Sequence, residues 1–334
     1  MLPPTTPTGP LRVSLAIPLY NEELIVPELL ARLNAVLDTV PGGPHEIVIV
    51  DDGSRDRTLT MLTAAAAVTG SRLVVVSLSR NFGHQVALTA ALDHTSGDVV
   101  VAMDGDLQDS PEAIPTFLEY YAQGYDVVYA QRVMRKEAWY LRLSYFLFYR
   151  LILRLSDIRL PVDAGDFGLM SRRVVDILRR TREHHRYLRG LRTWVGFRQI
   201  GVNVERSARY AGDSKYGTLK LLRLAADGIF SFSIVPLRAA AAAGFLAIVA
   251  ASLYAVYAIY VRVVLDRSPA GFTATILVVT FLAGINLLFM GVIGEYVGRV
   301  YEEVKSRPPY IVSSVTRGPT EPHPAPASSD RRPE

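Results

Sequence analysis

The 334-residue chain contains no cysteine. This absence excludes disulfide bonds, thiolate metal sites and cysteine nucleophiles. The first residues are polar and proline-rich and lack the apolar core of a signal peptide. We therefore expect no cleaved signal and a soluble domain that stays in the cytoplasm. The chain also lacks a recognisable nucleic-acid-binding module, so we expect no nucleic-acid partner.

Charged residues are absent from two long segments near the C-terminal end. Ala239–Val261 and Phe272–Gly294 are uncharged apolar runs of 23 residues each. At ~1.5 Å per residue, each run can cross a hydrocarbon core roughly 30 Å thick. Buried core helices are the alternative, but two neighbouring runs of this length without an ionisable residue favour membrane spans. We predict a two-span hairpin over residues 233–298, with spans at about 236–262 and 272–297.

Charge is distributed unevenly along the rest of the chain. Charged residues make up 20% of the sequence, and the formal net charge is +4. Arg-rich stretches at Arg132–Arg154 and Arg172–Arg223 follow a more acidic N-terminal third. Each basic side chain near an anionic surface contributes on the order of 1 kcal/mol. The basic part therefore suits lipid headgroups or a phosphorylated substrate.

The pattern divides the chain into five parts. We predict a disordered N-terminus (1–11), a cytoplasmic catalytic domain (12–216), a juxtamembrane amphipathic helix (217–232), the hairpin, and a largely disordered tail (299–334). A second amphipathic helix, at about 139–155, would lie at the membrane interface within the catalytic domain. For both amphipathic helices, packing on a protein core remains the alternative, since amphipathicity alone does not distinguish the two.

Strand and helix patterns alternate through the first 130 residues. Continuous apolar, β-branched runs predict parallel strands buried on both faces, namely Val13–Pro18, Glu46–Asp51, Leu73–Leu78, Val99–Asp104 and Asp126–Ala130. Helical patterns lie between them, at Glu23–Val40, Thr58–Gly70, Phe82–His94 and Pro111–Gln123. This alternation predicts an α/β fold with a doubly wound, mostly parallel sheet.

Polar residues follow four of the predicted strands. In doubly wound sheets, ligands bind beyond the carboxyl ends of the strands. The segments that we expect to converge there are Pro18–Glu22, Asp51–Ser54, Ser79–Asn81 and Asp104–Asp106.

The segment Asp104-Gly105-Asp106 places two carboxylates at the end of a predicted buried strand. Carboxylate oxygens suit Mg²⁺ or Mn²⁺, and substrate phosphates would complete the coordination shell. Gln108 offers a further oxygen. A turn rich in aspartate is the alternative for this segment, and a turn or helix cap is the alternative for Asp51-Asp52.

Taken together, these motifs resemble the family-two glycosyltransferases of GT-A fold. The motifs are Ile17–Glu22, Val50–Ser54, Ser79–Gly83 and Met103–Asp109, and the resemblance extends over about Val13–Val304. Within that family the chain is similar to the polyprenyl-phosphate glycosyltransferases with two C-terminal spans. The resemblance implies that Asp104, Asp106 and Gln108 surround Mg²⁺ or Mn²⁺. The nucleotide sugar would contact Pro18, Tyr20, Glu22, Asp51, Asp52, Arg80, Gln85 and Asp104.

The resemblance also assigns roles to basic residues in the second half of the chain. Arg209 and Lys215 lie in a segment similar to one that closes over the donor diphosphate. Arg132, Arg135 and Arg142 resemble the acceptor-phosphate region, although their spacing is shorter than in dolichyl-phosphate mannose synthases. Arg189–Trp194 departs from the Q-x-x-R-W pattern of processive synthases, which argues against chain elongation.

The implied reaction is transfer of one sugar from a nucleotide donor to a polyprenyl phosphate, with inversion. Asp166, followed by Asp163, is the candidate base or orienting residue, and a structural turn is the alternative. UDP-glucose and undecaprenyl phosphate are the inferred substrates. GDP-mannose, a UDP-N-acetylhexosamine and a modified pentose remain alternative donors.

Other functional classes fit the sequence less well. A noncatalytic nucleotide-binding membrane scaffold is the principal alternative. A Rossmann oxidoreductase is disfavoured because no G-x-G-x-x-G follows the first strand, and a transporter because the spans carry no charge. Small residues in Ala239–Gly244 and Gly291–Gly294 allow close helix packing, which favours a homo-oligomer.

Overall fold

A computed structural model describes most of the protein. The described residues are 10–69, 72–132, 164–181, 183, 186–204, 235–264 and 271–318. Several sequence predictions concern residues outside these ranges. They are most of the predicted disordered N-terminus, the helices at about 139–155 and 217–232, the basic residues after Arg132 and after Val204, Asp163, and the tail beyond residue 318.

A mixed sheet forms the centre of the protein. Its strands within the described residues are β1 (Val13–Leu19), β2 (Glu46–Asp51), β3 (Leu73–Leu78), β4 (Val99–Ala102), β5 (Val127–Arg132), β6 (Ala164–Ser171), β7 (Gln199–Val204) and β8 (Val312–Arg317). Their order across the sheet is β7-β5-β6-β4-β1-β2-β3-β8. The β1–β2, β1–β4, β2–β3 and β5–β7 pairs are parallel. β6 runs antiparallel to both of its neighbours, and β8 runs antiparallel to β3. The predicted doubly wound, mostly parallel α/β sheet is therefore confirmed.

Helices cover both faces of this sheet. Those of the catalytic domain are α1 (Val26–Thr39), α2 (Thr58–Thr69), α3 (His84–Asp93), α4 (Ile114–Ala122), α5 (Arg172–Arg180) and α6 (Leu188–Trp194). One buried core contains side chains from α1, α2 and α4, and the second contains side chains from α3, α5 and α6. In α1, buried Val26, Leu29 and Leu33 recur at helical spacing, so one stripe of the helix packs on the sheet.

The chain enters the sheet again after its apolar helices. Strand β8 pairs with β3 over Val312–Arg317. The prediction of a largely disordered tail from residue 299 is therefore wrong for this strand and for residues 299–305, which are helical. The composition of the tail is polar and proline-rich, but β8 is stabilised by a pairing with a strand more than 200 residues away in sequence, which local composition does not reveal.

Two long apolar helices precede β8. They are α7 (Val235–Val264) and α8 (Phe272–Lys305), close to the predicted spans. Both are long and apolar enough to cross a membrane, and an 18-residue apolar window in each has no residue buried inside the protein. A core helix of a soluble protein would be covered by other elements, so this exposure favours the bilayer over the core alternative.

Helix α8 is longer than a membrane requires. Its 34 residues span ~51 Å at ~1.5 Å per residue, against a hydrocarbon core of roughly 30 Å. Its final turns contain Glu295, Arg299, Glu302, Glu303 and Lys305. The charged end therefore extends out of the apolar segment, toward the strand that joins the sheet.

Candidate active site

The loops after β2 and β3 are joined by the carboxylate of Asp52. Its Oδ1 accepts a hydrogen bond from the backbone N–H of Phe82 (2.7 Å), and its Oδ2 accepts one from Gly83 (2.9 Å). The side chain is buried. Asp52, predicted to contact the nucleotide, thus uses both oxygens to hold the start of α3.

Asp51 lies beside it at the end of β2 and is 1% exposed. Its Oδ2 accepts the backbone N–H of Ser54 at 3.2 Å. Its Oδ1 is buried and, among the described residues, has no hydrogen-bond partner. Burial raises the pKa of this carboxyl, against the opposing effect of Ser54. An unpaired buried acceptor is costly, so this oxygen is suited to receive a donor from a bound ligand.

Gly53 allows the two loops to approach each other. Its φ is +66°, and a Cβ atom here would lie 2.6 Å from the carbonyl carbon of Arg80. Both the backbone conformation and the contact therefore require glycine. This close approach places Arg80, an exposed cation stacked 4.1 Å from the Phe82 ring centroid, beside the buried aspartates.

The loop after β1 is attached to the same site. The backbone N–H of Asn21 donates to Ser54 Oγ (2.9 Å), and the N–H of Glu22 donates to Thr58 Oγ1 (2.9 Å). Pro18 is buried in β1, whereas Tyr20 and Glu22 are partly exposed beyond its end. The four predicted polar segments thus lie at one edge of the sheet, and the loops after the first three strands are joined by direct hydrogen bonds.

The fourth strand end brings Asp104 next to His84 and Asp166. His84 Nε2 lies 3.2 Å from Asp104 Oδ1 and 3.7 Å from Asp166 Oδ2. The three side chains offer ligand atoms within 4.8 Å of one another. Burial lowers the pKa of His84, but its contacts with the two carboxylates and their negative charges outweigh burial and raise the pKa to about 10. The imidazole is therefore a cation at neutral pH in the absence of other ligands.

Asp166 is the most strongly held acid of this group. Arg189 Nε and an Arg189 NH₂ group donate to its two oxygens, each at 2.8 Å, and Gln85 Nε2 donates at 3.3 Å. Burial alone would raise the pKa of Asp166, but Arg189 and His84 outweigh burial and hold it well below its usual range. A carboxylate with so low a pKa is a weak proton acceptor, which favours the orienting role over the basic one.

A second arginine, Arg192, is buried next to this cluster and binds the backbone beside Asp166. Arg192 is 4% exposed, donates to the backbone oxygen of Gly165 at 3.2 Å and lies 5.1 Å from the Tyr129 ring centroid. Burial lowers its pKa to about 10. Gln85 also accepts the backbone N–H of Leu188 at 3.2 Å. Helices α3 and α6 are therefore connected through the site.

Comparison with known proteins identifies the family. Residues 14–178 match the family described as "Glycosyl transferase family 2". A Bacillus subtilis protein named uncharacterized glycosyltransferase YkcC is 42% identical over 303 residues, which is 90% of this chain and 93% of that protein. The chain belongs to glycosyltransferase family 2.

Two further relatives carry more specific names. The SfII prophage-derived bactoprenol glucosyl transferase of Shigella flexneri is 38% identical, with 92% of this chain and 99% of that protein covered. The undecaprenyl-phosphate 4-deoxy-4-formamido-L-arabinose transferase of Aeromonas hydrophila is 33% identical, with 93% and 95% covered. The protein is thus an enzyme that transfers a glycosyl group.

The site of this family-2 enzyme fits a divalent cation. Asp104 Oδ1 is buried and, in the described part of the chain, accepts no hydrogen bond. It lies 3.2 Å from His84 Nε2, which makes an ion pair when the imidazole is protonated. Carboxylate oxygens suit Mg²⁺ and Mn²⁺. Of the other predicted ligands, Asp106 Oδ1 accepts the backbone N–H of Gln108 at 3.2 Å, and Asp106 is not part of the His84 cluster.

Several predicted site residues of the glycosyltransferase lie outside the described residues. They are Asp163, Arg135, Arg142, Arg209 and Lys215. Arg132 is the last residue of β5, where it pairs with Val204 of β7. The roles that the resemblance implies for these residues stay predictions.

Sequence reasoning missed His84, and it noted Arg189 only for the departure from a processive motif. His84 directly follows the quoted segment Ser79–Gly83, at the first turn of a helix that begins at the strand ends. This position, directly after a segment at the strand ends, could have indicated that His84 lies in the site. Arg189 has no such signal, because its partner Asp166 is 23 positions away and is reached only through the fold.

Proposed function

We propose that this glycosyltransferase moves one sugar from a nucleotide diphosphate donor to a polyprenyl phosphate at the cytoplasmic face of the membrane. The preferred donor is UDP-glucose, and the preferred acceptor is undecaprenyl phosphate. The observation that carries the proposal is the 38% identity to a bactoprenol glucosyl transferase, because the match covers 92% of the chain and so includes both the strand-end site and the apolar helices.

The buried aspartate at the end of β2 supports nucleotide binding. Asp51 Oδ1 can accept a hydrogen bond from a ribose hydroxyl or a base N–H. Arg80 lies beside the same loop and is exposed, which suits a contact with the negatively charged donor. Tyr20 and Glu22 border the same opening, as the resemblance implies.

The metal centre would assist departure of the nucleotide. Asp104, with Asp106 and Gln108 as the further predicted ligands, would hold Mg²⁺ or Mn²⁺. Such an ion neutralises charge that develops on the diphosphate. Arg209 and Lys215 are proposed to contribute further positive charge.

The acceptor needs little chemical activation. The bond between the anomeric carbon and the diphosphate breaks as the bond to an acceptor phosphate oxygen forms on the opposite face, with inversion. A phosphomonoester has a second pKa of ≈ 6, so near pH 7 the attacking oxygen is largely deprotonated already. A reaction without a strong general base agrees with the environment of Asp166, because its lowered pKa makes it a poor proton acceptor. We propose that Asp166 orients His84 and Arg189 around the reaction centre.

Membrane attachment would bring the acceptor to this site. Helices α7 and α8 would cross the bilayer, and Arg132, Arg135 and Arg142 would bind the acceptor phosphate. Confining enzyme and lipid to one surface reduces the search between them. Pairing of β8 with β3 supports a topology in which the segment after α8 lies on the same side as the catalytic domain.

The test is transfer of label from a panel of radiolabelled nucleotide sugars into organic-extractable lipid. The purified protein is incubated with undecaprenyl phosphate and with Mn²⁺, Mg²⁺ or a chelator. We expect metal-dependent labelling of lipid from UDP-glucose. Labelling from GDP-mannose, a UDP-N-acetylhexosamine or a modified pentose instead would keep the reaction and change the donor. Failure of every donor with folded protein would favour a noncatalytic scaffold.

A further inference from the structure

The segment that follows α8 is attached to the donor site. We refer to residues 306–317 as the C-terminal strap. Ser306 ends the helix in a left-handed conformation (φ 48°), and Pro308 and Pro309 follow it. Proline has no N–H and clashes with a preceding helical turn, so the helix cannot continue. The strap therefore leaves α8 in an extended form and reaches the sheet.

The strap holds the end of β3. Val315 lies opposite Val76, and the register shifts between Ser77 and Leu78. Beyond this irregularity the backbone N–H of Ser79 donates to the oxygen of Ile311 at 2.9 Å. Ser79 directly precedes Arg80, the cation predicted to contact the nucleotide. The strap thus makes the last strand-like contact before the donor-binding loop.

The strap also holds the far end of α3. The Tyr310 hydroxyl donates to Asp93 Oδ2 at 2.8 Å, and Asp93 is the last residue of that helix. His84 and Gln85 form the first turn of the same helix and lie in the site. The strap therefore contacts both ends of the segment from Ser79 to Asp93. Ile311 binds the start of the loop after β3, and Tyr310 binds the end of α3.

Arg186 lies close to the same contact. Its guanidinium interacts electrostatically with Asp93, Glu183 and Tyr310, and burial lowers its pKa. It also donates to the backbone oxygen of Leu178. Arg186 comes two residues before α6, the helix that carries Arg189. Arg186 is thus close to the Tyr310–Asp93 contact and directly precedes the helix that carries Arg189.

We propose that the C-terminal strap positions the β3–α3 unit for donor binding, with Tyr310 as the positioning residue. The unit contains Arg80, His84 and Gln85, none of which Tyr310 touches. Loss of the Tyr310–Asp93 hydrogen bond would let this unit shift and would weaken the nucleotide contacts. The inference rests on the proposed function for its kinetic readout, but nucleotide affinity measures it independently.

The experiment compares Tyr310→Phe with wild-type full-length protein. It measures UDP affinity by calorimetry, and KM for the donor and kcat in the lipid-transfer assay. A hydrogen bond to a charged group is stronger than one between neutral groups, and we expect part of the effect of its loss to reach the site. We therefore expect about a three- to tenfold loss of UDP affinity and a similar rise in donor KM. The KM for polyprenyl phosphate should not change.

Matched variants isolate the contact. Asp93→Ala should reproduce the effect of Tyr310→Phe, and the double variant should be no worse than either, because all three lack the same bond. Asp93→Asn keeps an acceptor oxygen and should restore most of the affinity. Tyr301→Phe makes the same change on an exposed ring of α8 and should behave as wild type.

The outcomes separate the two proposals. A lower unfolding temperature with unchanged UDP affinity and donor KM would mean that the strap only stabilises the fold, and the positioning role would be overturned. Additive losses in the double variant would also overturn it. Absence of transfer by wild-type protein would refute the proposed function instead, while the UDP measurement would still decide the role of the strap.

Discussion

Arg189 binds both carboxylate oxygens of Asp166, each at 2.8 Å. The acid is almost fully buried, whereas the arginine side chain is 31% exposed. Without the guanidinium, His84 would be the one cation left within ion-pair distance of the carboxylate in the described part of the chain. Arg189 is therefore needed to keep the buried carboxylate of Asp166 ionised.

Replacement of Arg189 by alanine should destabilise the protein and reduce transfer strongly. Removal of one partner of a buried ion pair typically costs roughly 3–5 kcal/mol, because the other charge stays buried. Arg189→Lys should recover only part of this, since an ammonium group cannot reproduce the two-point contact. Thermal unfolding and transfer rates measure both effects. Arg180→Ala, an exposed arginine at the end of α5, is the control, and an equal loss in it would contradict the assignment.

Because the pKa of His84 is raised, the folded protein should lose stability at alkaline pH as this side chain loses its charge. Its folded pKa of about 10 lies above the ordinary value of ~6.5. The stabilisation is therefore complete below pH ~6.5 and is lost as pH rises toward 10. The pKa of Asp166 is lowered, so its contribution is present above pH ~3.9 and is lost on acidification. With chelator present, His84→Gln should flatten the decline in unfolding temperature between pH 7 and 10. An unchanged slope would show that His84 is not charged in the folded protein.

Much of the sheet could be predicted because buried parallel strands have continuous apolar sequences. Strands β1 to β4 were placed by this signal, and so were the polar loops that follow them. Strand β6 has no such run, because it contains Gly165, Asp166 and Gly168. A Cβ at Gly168 would lie 2.6 Å from the Val128 oxygen, so the close approach of β5 to β6 requires glycine at this position. The same glycine makes the sequence of β6 less typical of a strand.

The candidate site shows the same division. The acidic residues follow strands, and their convergence is a consequence of topology that sequence can reveal. The partners of those acids cannot be read in this way. Asp52 holds backbone groups 30 positions away, and Tyr310 holds Asp93 from 217 positions away. Such contacts depend on loop paths and side-chain directions that no local pattern contains.

Gly53→Ala should damage donor binding more than an equivalent change elsewhere. Alanine at this position would be strained by the positive φ. Its Cβ would also clash with backbone atoms of Arg80, so the loop after β3 must move. Gly196→Ala is the matched control, because φ is +75° there but the nearest atom to a Cβ is 3.7 Å away. Strain at positive φ costs about 1–3 kcal/mol at either site. Only Gly53→Ala should also lower UDP affinity, as measured by calorimetry, and equal affinities in the two variants would contradict this.

Asp104→Asn should remove most of the metal affinity of the folded protein. The amide keeps the shape of the side chain but loses the charge that a divalent cation requires. Binding of Mn²⁺ is measured directly by electron paramagnetic resonance, without reference to transfer. Asp38→Asn, an exposed aspartate paired with Arg72, is the control and should bind as wild type. Retention of Mn²⁺ by Asp104→Asn would exclude Asp104 as a ligand.

The membrane topology can be tested with single cysteines, because the natural chain contains none. Strand β8 is hydrogen-bonded into the catalytic sheet after two apolar helices, so Ser313 and Ser79 must lie on one side and the connection between the helices on the other. Arg238, Arg299, Lys305 and Arg307 flank the proposed cytoplasmic ends, whereas Arg262 and Arg267 precede or lie in the short connection. The positive-inside rule thus favours a cytoplasmic catalytic domain, with some opposing charge. In intact cells, a membrane-impermeant thiol reagent should label Ser268→Cys, and it should label Ser313→Cys and Ser79→Cys only after permeabilisation. External labelling of Ser313→Cys would overturn this orientation, and different labelling of Ser313→Cys and Ser79→Cys would contradict the pairing of β8 with β3.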